Sequence, residues 1–258
     1  MSDGRVLQWL SGDRSRLVWV DFDRYARRVF AGSVENWTHN AAQQAAILAQ
    51  AHNVVPSEVV ALDVWDPFLR ASDLDADAVQ ALEGMNGNLF VAELVDAVAH
   101  HCGGRADIVL RLPAPKDIVL GAWRCPNTVN FQVLDDAMLA FTVVLRSLSA
   151  KQVAGIVVNG GNREFDDEEL EALDSVAAVA RHYGWFVAVS GPAIDSLPPW
   201  CSLGLDAERR PAARQGGGLG LAFWQNASPP PLSGLLYGVV PDDLLPEDVV
   251  RAAARLAI

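Results

Sequence analysis

Cysteine is scarce in this chain. Three in 258 residues (Cys102, Cys125 and Cys201) are too few and too scattered for a disulfide framework, and that usage predicts a reducing cytoplasm. No stretch approaches twenty uninterrupted apolar residues, which argues against a membrane-spanning helix. The opening Met1-Ser-Asp-Gly-Arg5 lacks the basic, then apolar, then small-residue order of a secretory leader. Positive charge is short as well: 20 Lys and Arg face 32 Asp and Glu, for a net charge of −12. Such an excess repels polyanions, so neither nucleic acid nor an anionic membrane is expected as a partner. A small anionic substrate is still admissible, because it needs only a local pair of basic side chains. Internal repeats and low-complexity tails are also lacking. What the chain has in quantity is apolar residue, 51% of the total with eight Trp, enough for one large core. The length matches one (β/α)₈ barrel, and a single domain over residues 1–258 is expected.

Strand and helix candidates alternate along the chain. Arg16–Phe22, Val59–Val64, Asp107–Leu112, Gly155–Val158, Trp185–Val189 and Leu235–Val240 are short apolar runs without polar alternation, which predicts strands buried on both faces. Between them, Asn40–Asn53, Leu89–His101, Leu134–Ser149 and Asp166 to about His182 carry helical spacing. Asn40 is a predicted N-cap, and Gly103-Gly104 closes the second of these helices. Pro246-Glu247-Asp248 opens a last helix with proline and acids in its first turn. This order predicts an α/β fold with a parallel sheet covered by helices. Residues Ser196–Ser233 are rich in Pro and Gly and leave room for one strand, Leu219–Trp224, but no full helix before Leu235, so the barrel is expected to be reduced near its closure.

Candidate site residues fall at the predicted C-terminal ends of strands, where active sites of βα barrels collect. Asp63 and Asp66 end one strand, and the same pair fits equally well as a cap on the following turn. Asp21, Asp23 and Arg24 end the first; a surface cluster with Arg27 and Arg28 accounts for them better than a ligand site. Arg111 interrupts an apolar strand, so its guanidinium requires either a carboxylate partner or a path to solvent. Asn159-Gly-Gly-Asn162-Arg163 follows a strand and is similar to an anion cradle, but lacks the Lys-Ser/Thr of a phosphate loop. Trp65, Trp123, Trp224 and Tyr237 could wall a planar ligand or simply fill the core. His100-His101-Cys102 has metal-pair spacing but lies at a helix end before two glycines, where imidazolium suits the helix dipole.

Taken in order, these segments resemble the uroporphyrinogen decarboxylase and methyltransferase superfamily, which is also similar to the catalytic half of cobalamin-independent methionine synthase. Val59-Val-Ala-Leu-Asp63-Val-Trp-Asp66 resembles its aspartate-bearing strand, and Ile108–Leu120 its strand and helix-opening turn. Gly220-Leu-Ala-Phe-Trp-Gln-Asn226-Ala-Ser-Pro229 is similar to its late strand end, and Leu235–Val250 to its closing strand, loop and helix. The resemblance implies a (β/α)₈ barrel with Asp63 touching substrate nitrogens or acting as acid or base beside Asp66. Arg24 and Arg111 would clamp a carboxylate, and Trp65, Asn159, Trp224 and Asn226 would line the site. Two departures matter. Tyr237 stands where the decarboxylases place a histidine, and Ala188 and Ser190 stand where the zinc methyltransferases place a His-x-Cys pair. The expectation is therefore a cofactor-free, metal-free enzyme that cleaves or proton-transfers a small organic or aromatic carboxylate. The alternatives are a non-catalytic ligand- or partner-binding barrel, or a methyltransferase with an unusual metal or corrinoid dependence. A homodimer is left open.

Overall fold

Apolar runs with no polar face need cover on both sides, and the chain supplies it by following most strands with a helix. The computed structural model describes residues 4–32, 39–65, 85–122, 129–161, 163–191, 198–205, 217–225 and 233–256. Among them the elements run α1 (Arg5–Ser11), β1 (Arg16–Asp21), α2 (Asp23–Ala26, continued by a π turn Arg27–Ala31), α3 (Ala41–Val54), β2 (Val59–Asp63), α4 (Met85–Cys102), β3 (Asp107–Pro113), α5 (Pro115–Ala122) and α6 (Phe131–Ser147). They continue with β4 (Gly155–Asn159), α7 (Asp167–His182), β5 (Phe186–Ser190), β6 (Leu203–Leu205), β7 (Gly217–Gly218), α8 (Leu221–Trp224), β8 (Gly234–Val239) and α9 (Pro246–Ala253), with a closing 3₁₀ turn Ala254–Leu256. The strands form two sheets, ordered β1-β8-β7 and β2-β3-β4-β5-β6, and every pairing with a described register is parallel.

Local chemistry sets most boundaries. The Asn40 side chain accepts the Gln43 N–H, and Asn130 does the same for Val133, so each Asn relieves an orphan amide at a helix start. Asp166 and Glu169 form a reciprocal capping box on α7. Gly103 and Gly104, both at positive φ, end α4. The Leu219–Trp224 run, expected as a strand, is instead the four-residue helix α8, and the strand is the dipeptide Gly217–Gly218 before it. A six-residue apolar run does not distinguish a buried strand from a buried helix turn, which is why periodicity misassigned it. The expected shortage of helix between this run and Leu235 falls mostly on residues 226–232, which lie outside the described residues.

The chain divides into two compact units. One comprises Met1–Ala61, Ala97–Ile108 and Leu205–Ile258, the other Leu62–Asp96 and Val109–Gly204. In the first, β1 and β8 pair along their length, with Trp19 opposite Tyr237, around a core that includes Leu17, Leu48, Trp224 and Leu236. The buried Glu58 ties this unit together. Its N–H donates to Val18 O at 2.7 Å, its carboxylate accepts the Val18 N–H at 3.0 Å, and Arg14 pairs with it at 2.5 Å. In the second unit, Leu110, Leu112, Ile156, Val158, Val187 and Val189 are wholly buried, and α7 packs on β5 and along α6.

Candidate functional site

Within the second unit, the Val64 N–H donates to Arg111 O at 3.2 Å. In a parallel ladder this bond sets Asp63 opposite Arg111 on the neighbouring strand, about 4.8 Å away at the backbone. The row continues through Val157 on β4 to Ala188 on β5. Because strand side chains alternate, the rows two residues before and after share its face. The row before is Val109, Gly155 and Phe186; the row after is Pro113, Asn159 and Ser190.

These three rows differ in chemistry. The first is closed by the Phe186 ring, which lies over Gly155 so closely that a Cβ there would be 2.6 Å from the ring. The middle row opposes a carboxylate and a guanidinium, both half-buried, to the small Val157 and Ala188. The last row is polar: Ser190 Oγ donates to Asn159 Oδ1 at 3.2 Å, and the Gly161 N–H donates to the same oxygen at 3.0 Å. With Oδ1 so engaged, Asn159 has its Nδ2 protons to offer a ligand. Ala188 and Ser190 thus lie on this face and make it small and neutral on the β5 side. Asp63 Oδ1 also accepts the Trp65 N–H at 2.8 Å, the turn-capping role expected of a strand-end aspartate.

Beside these strand ends lies an ion network that spacing did not single out. Glu169 is fully buried and takes Arg163 in a two-pronged pair, Nη1 to Oε2 at 2.5 Å and Nη2 to Oε1 at 2.6 Å. It also accepts the Lys116 N–H at 3.1 Å, and Arg163 reaches Asp117 at 3.4 Å. The Lys116 ammonium pairs with Asp166. The hydrogen bond to Asp166 holds the lysine above its ordinary pKa, and that to Glu169 does the same for Arg163. Partial burial opposes ionisation of Asp166, yet the bonds from Lys116 and from the Glu169 N–H outweigh it and keep the carboxyl below its usual range. The signal for this network was in the chain: Asp166-x-x-Glu169 is a capping box, and its glutamate is the network's centre. The network joins the start of α5 to the start of α7 and so fixes the loops that follow β3 and β4.

The remaining candidates fall elsewhere. Trp65 is 8% exposed and lies against Phe141 with ring centroids 5.6 Å apart, and Trp224 is entirely buried on α8 against Phe223, so neither presents an open ring face. Tyr237, Trp224 and Arg24 belong to the first unit. There Tyr237 is edge-on to Trp19 at 6.0 Å, and Arg24 pairs with Asp242 at 3.1 Å on open surface. Asp66, Trp123, Asn162 and Asn226 lie outside the described residues. Cys102 is buried at the end of α4, where burial pushes its thiol up.

No protein-family model and no curated protein matches this chain. The superfamily resemblance therefore stands on the order and spacing of segments alone. Among the described residues, no group of three or more His, Cys, Asp or Glu is placed to hold a metal ion, and no helix is long and apolar enough to cross a membrane.

Proposed function

We propose that the protein is a divergent uroporphyrinogen decarboxylase-like enzyme, a reduced (β/α)₈ barrel acting on a small organic or aromatic carboxylate by metal-free decarboxylation or proton transfer in the cytoplasm. The observation that carries this reading is the register that sets Asp63 beside Arg111, on a face with an aromatic floor and a polar rim. A guanidinium recognises a carboxylate bidentately, and Asn159 can orient the ligand. The Asp63 carboxylate is suited to take a proton or to accept a substrate N–H. In the lytic version the bond from substrate carbon to carboxyl breaks, its electron pair stays on the carbon, carbon dioxide leaves, and the carbon takes a proton that Asp63 hands on from solvent water, the residue being left as it began. The barrel part of the reading draws on strand order: 7-8-1 in one sheet and 2-3-4-5-6 in the other follow the cyclic order of a (β/α)₈ barrel. Within the first unit, Val18 and Glu58 bond β1 to the residues that lead into β2.

A ligand-binding protein without turnover is the competing reading, favoured by the bond that already commits Asp63 Oδ1 to the Trp65 N–H. One experiment separates them: a thermal-shift screen of small mono- and dicarboxylates, followed by a carbon dioxide release assay on the hits, with wild type, Arg111→Lys, Arg111→Met and Asp63→Asn. An enzyme of this kind loses binding in Arg111→Met, keeps part of it in Arg111→Lys, and in Asp63→Asn binds but does not turn over. Binding of a carboxylate that Arg111→Met leaves intact would refute the assignment of the site.

A further inference from the structure

The outer face of α6 carries a second message, independent of the candidate site. The exposed residues of this helix are Gln132, Asp136, Leu139, Val143, Arg146 and Ser147, and all others are at least half-buried. Spacings of four, three, four and three place the first five along one narrow stripe, the seam pattern of paired helices. The middle of the stripe is apolar, with Leu139 at 48% and Val143 at 40% exposure, where the outer face of a surface helix is ordinarily polar. An acid stands on one side and a base on the other. Gln132 Nε2 donates to Asp136 Oδ1 at 2.9 Å and so orients that carboxylate, whereas Arg146 has no ion pair among the described residues.

The arrangement is symmetric about Phe141. Leu139 and Val143 lie two residues either side of it, and Asp136 and Arg146 lie five either side, about 15 Å apart along the axis. A second α6 laid antiparallel across the first would therefore set Leu139 against Val143 of the other copy, and Asp136 against its Arg146, twice over. That is the self-complementarity an isologous twofold contact demands. Two more leucines of the same unit are exposed on helices that touch α6. Leu120 is on α5, which packs on α6, and Leu89 follows Asn88, whose side chain accepts from Ser147 Oγ at 3.3 Å. We propose that this face of α6 binds a second copy of the chain and forms the interface of a homodimer.

Sedimentation of the full-length protein tests it by charge exchange. Wild type is expected to dimerise. Asp136→Lys and Arg146→Glu should each weaken the dimer about tenfold or more, because each sets like charges together twice. An equimolar mixture of the two variants should regain affinity within a few-fold of wild type, since the heterodimer again opposes unlike charges at both ends. Leu139→Glu/Val143→Glu should be monomeric with an unchanged far-UV spectrum, all four positions being solvent-exposed. Three results would overturn the proposal: a wild-type monomer at about 100 μM, too weak for an interface of standard size; a dimer indifferent to these substitutions; or single variants that fail to rescue one another on mixing.

Discussion

Replacing Glu169 by alanine should destabilise the protein more than any exposed charge does. The side chain is completely buried and serves four donors: two from Arg163, the Lys116 N–H at 3.1 Å and the Asp166 N–H at 3.5 Å. Removing one partner of a buried ion pair typically costs about 3–5 kcal/mol, because the other charge stays behind uncompensated. Here Arg163 is 34% exposed and keeps Asp117 at 3.4 Å, so it can turn towards water, and the effect belongs at the lower end, about 3 kcal/mol. For a chain of this size, that corresponds to a fall of roughly 6–12 °C in the melting temperature. Glu169→Gln keeps an acceptor for the two amides and should lose about half as much. The neighbouring Lys116–Asp166 pair is far more exposed, so Lys116→Met should cost less than about 1 kcal/mol. Thermal and urea unfolding of the three variants at neutral pH gives the ranking. Equal costs for Glu169→Ala and Lys116→Met, or a loss below about 1 kcal/mol for Glu169→Ala, would show that this carboxylate does not organise the loops.

Two further predictions concern other groups. His52 is buried, its Nε2 bonds Ser57 O at 2.7 Å and its Nδ1 has no partner among the described residues, so burial, with a smaller contribution from Arg105, lowers its pKa. The unfolded chain therefore binds a proton first: stability is complete above about pH 6.5 and declines as pH falls below it, and His52→Leu should flatten that part of the stability–pH curve. Cys201, whose thiol donates to Leu203 O at 3.3 Å, is pushed up to about 11 by burial. Its thiolate is roughly a thousandth of the total at pH 8, so alkylation by iodoacetamide should run about tenfold or more slower than in a cysteine peptide even after allowing for the greater intrinsic reactivity of a basic thiolate; mass-spectrometric timing of that modification decides it.

The amino-acid sequence by itself determined those features whose cause lies within a few residues. Asn40 and Asp166 cap helices because a side-chain oxygen three residues from an orphan amide is a local geometry, and Gly103-Gly104 ends α4 because only glycine adopts those backbone angles at no cost. The six apolar runs became strands within a residue or two of expectation, since buried parallel strands need no polar face. Asn130 was a legible cap as well, and it starts α6 three residues earlier than hydrophobic spacing alone suggested. Other outcomes had no local cause. Arg111 in an apolar strand announced a need for a partner, but only the offset between β2 and β3 decided that Asp63 stands across from it. Trp65 and Trp224 looked like ligand walls from their positions near strand ends; whether a ring faces a cleft or the core depends on the helices packed against it, and both were taken by the core. Glu169 is one of four consecutive acids, Asp166 to Glu169, and became the centre of an ion network because the loops after β3 and β4 bring Lys116 and Arg163 to it across fifty-three and six residues. Short-range hydrogen bonding is written into neighbouring residues, whereas register and burial are settled by which distant strands and helices share the available cover, and that choice exists only in the folded chain.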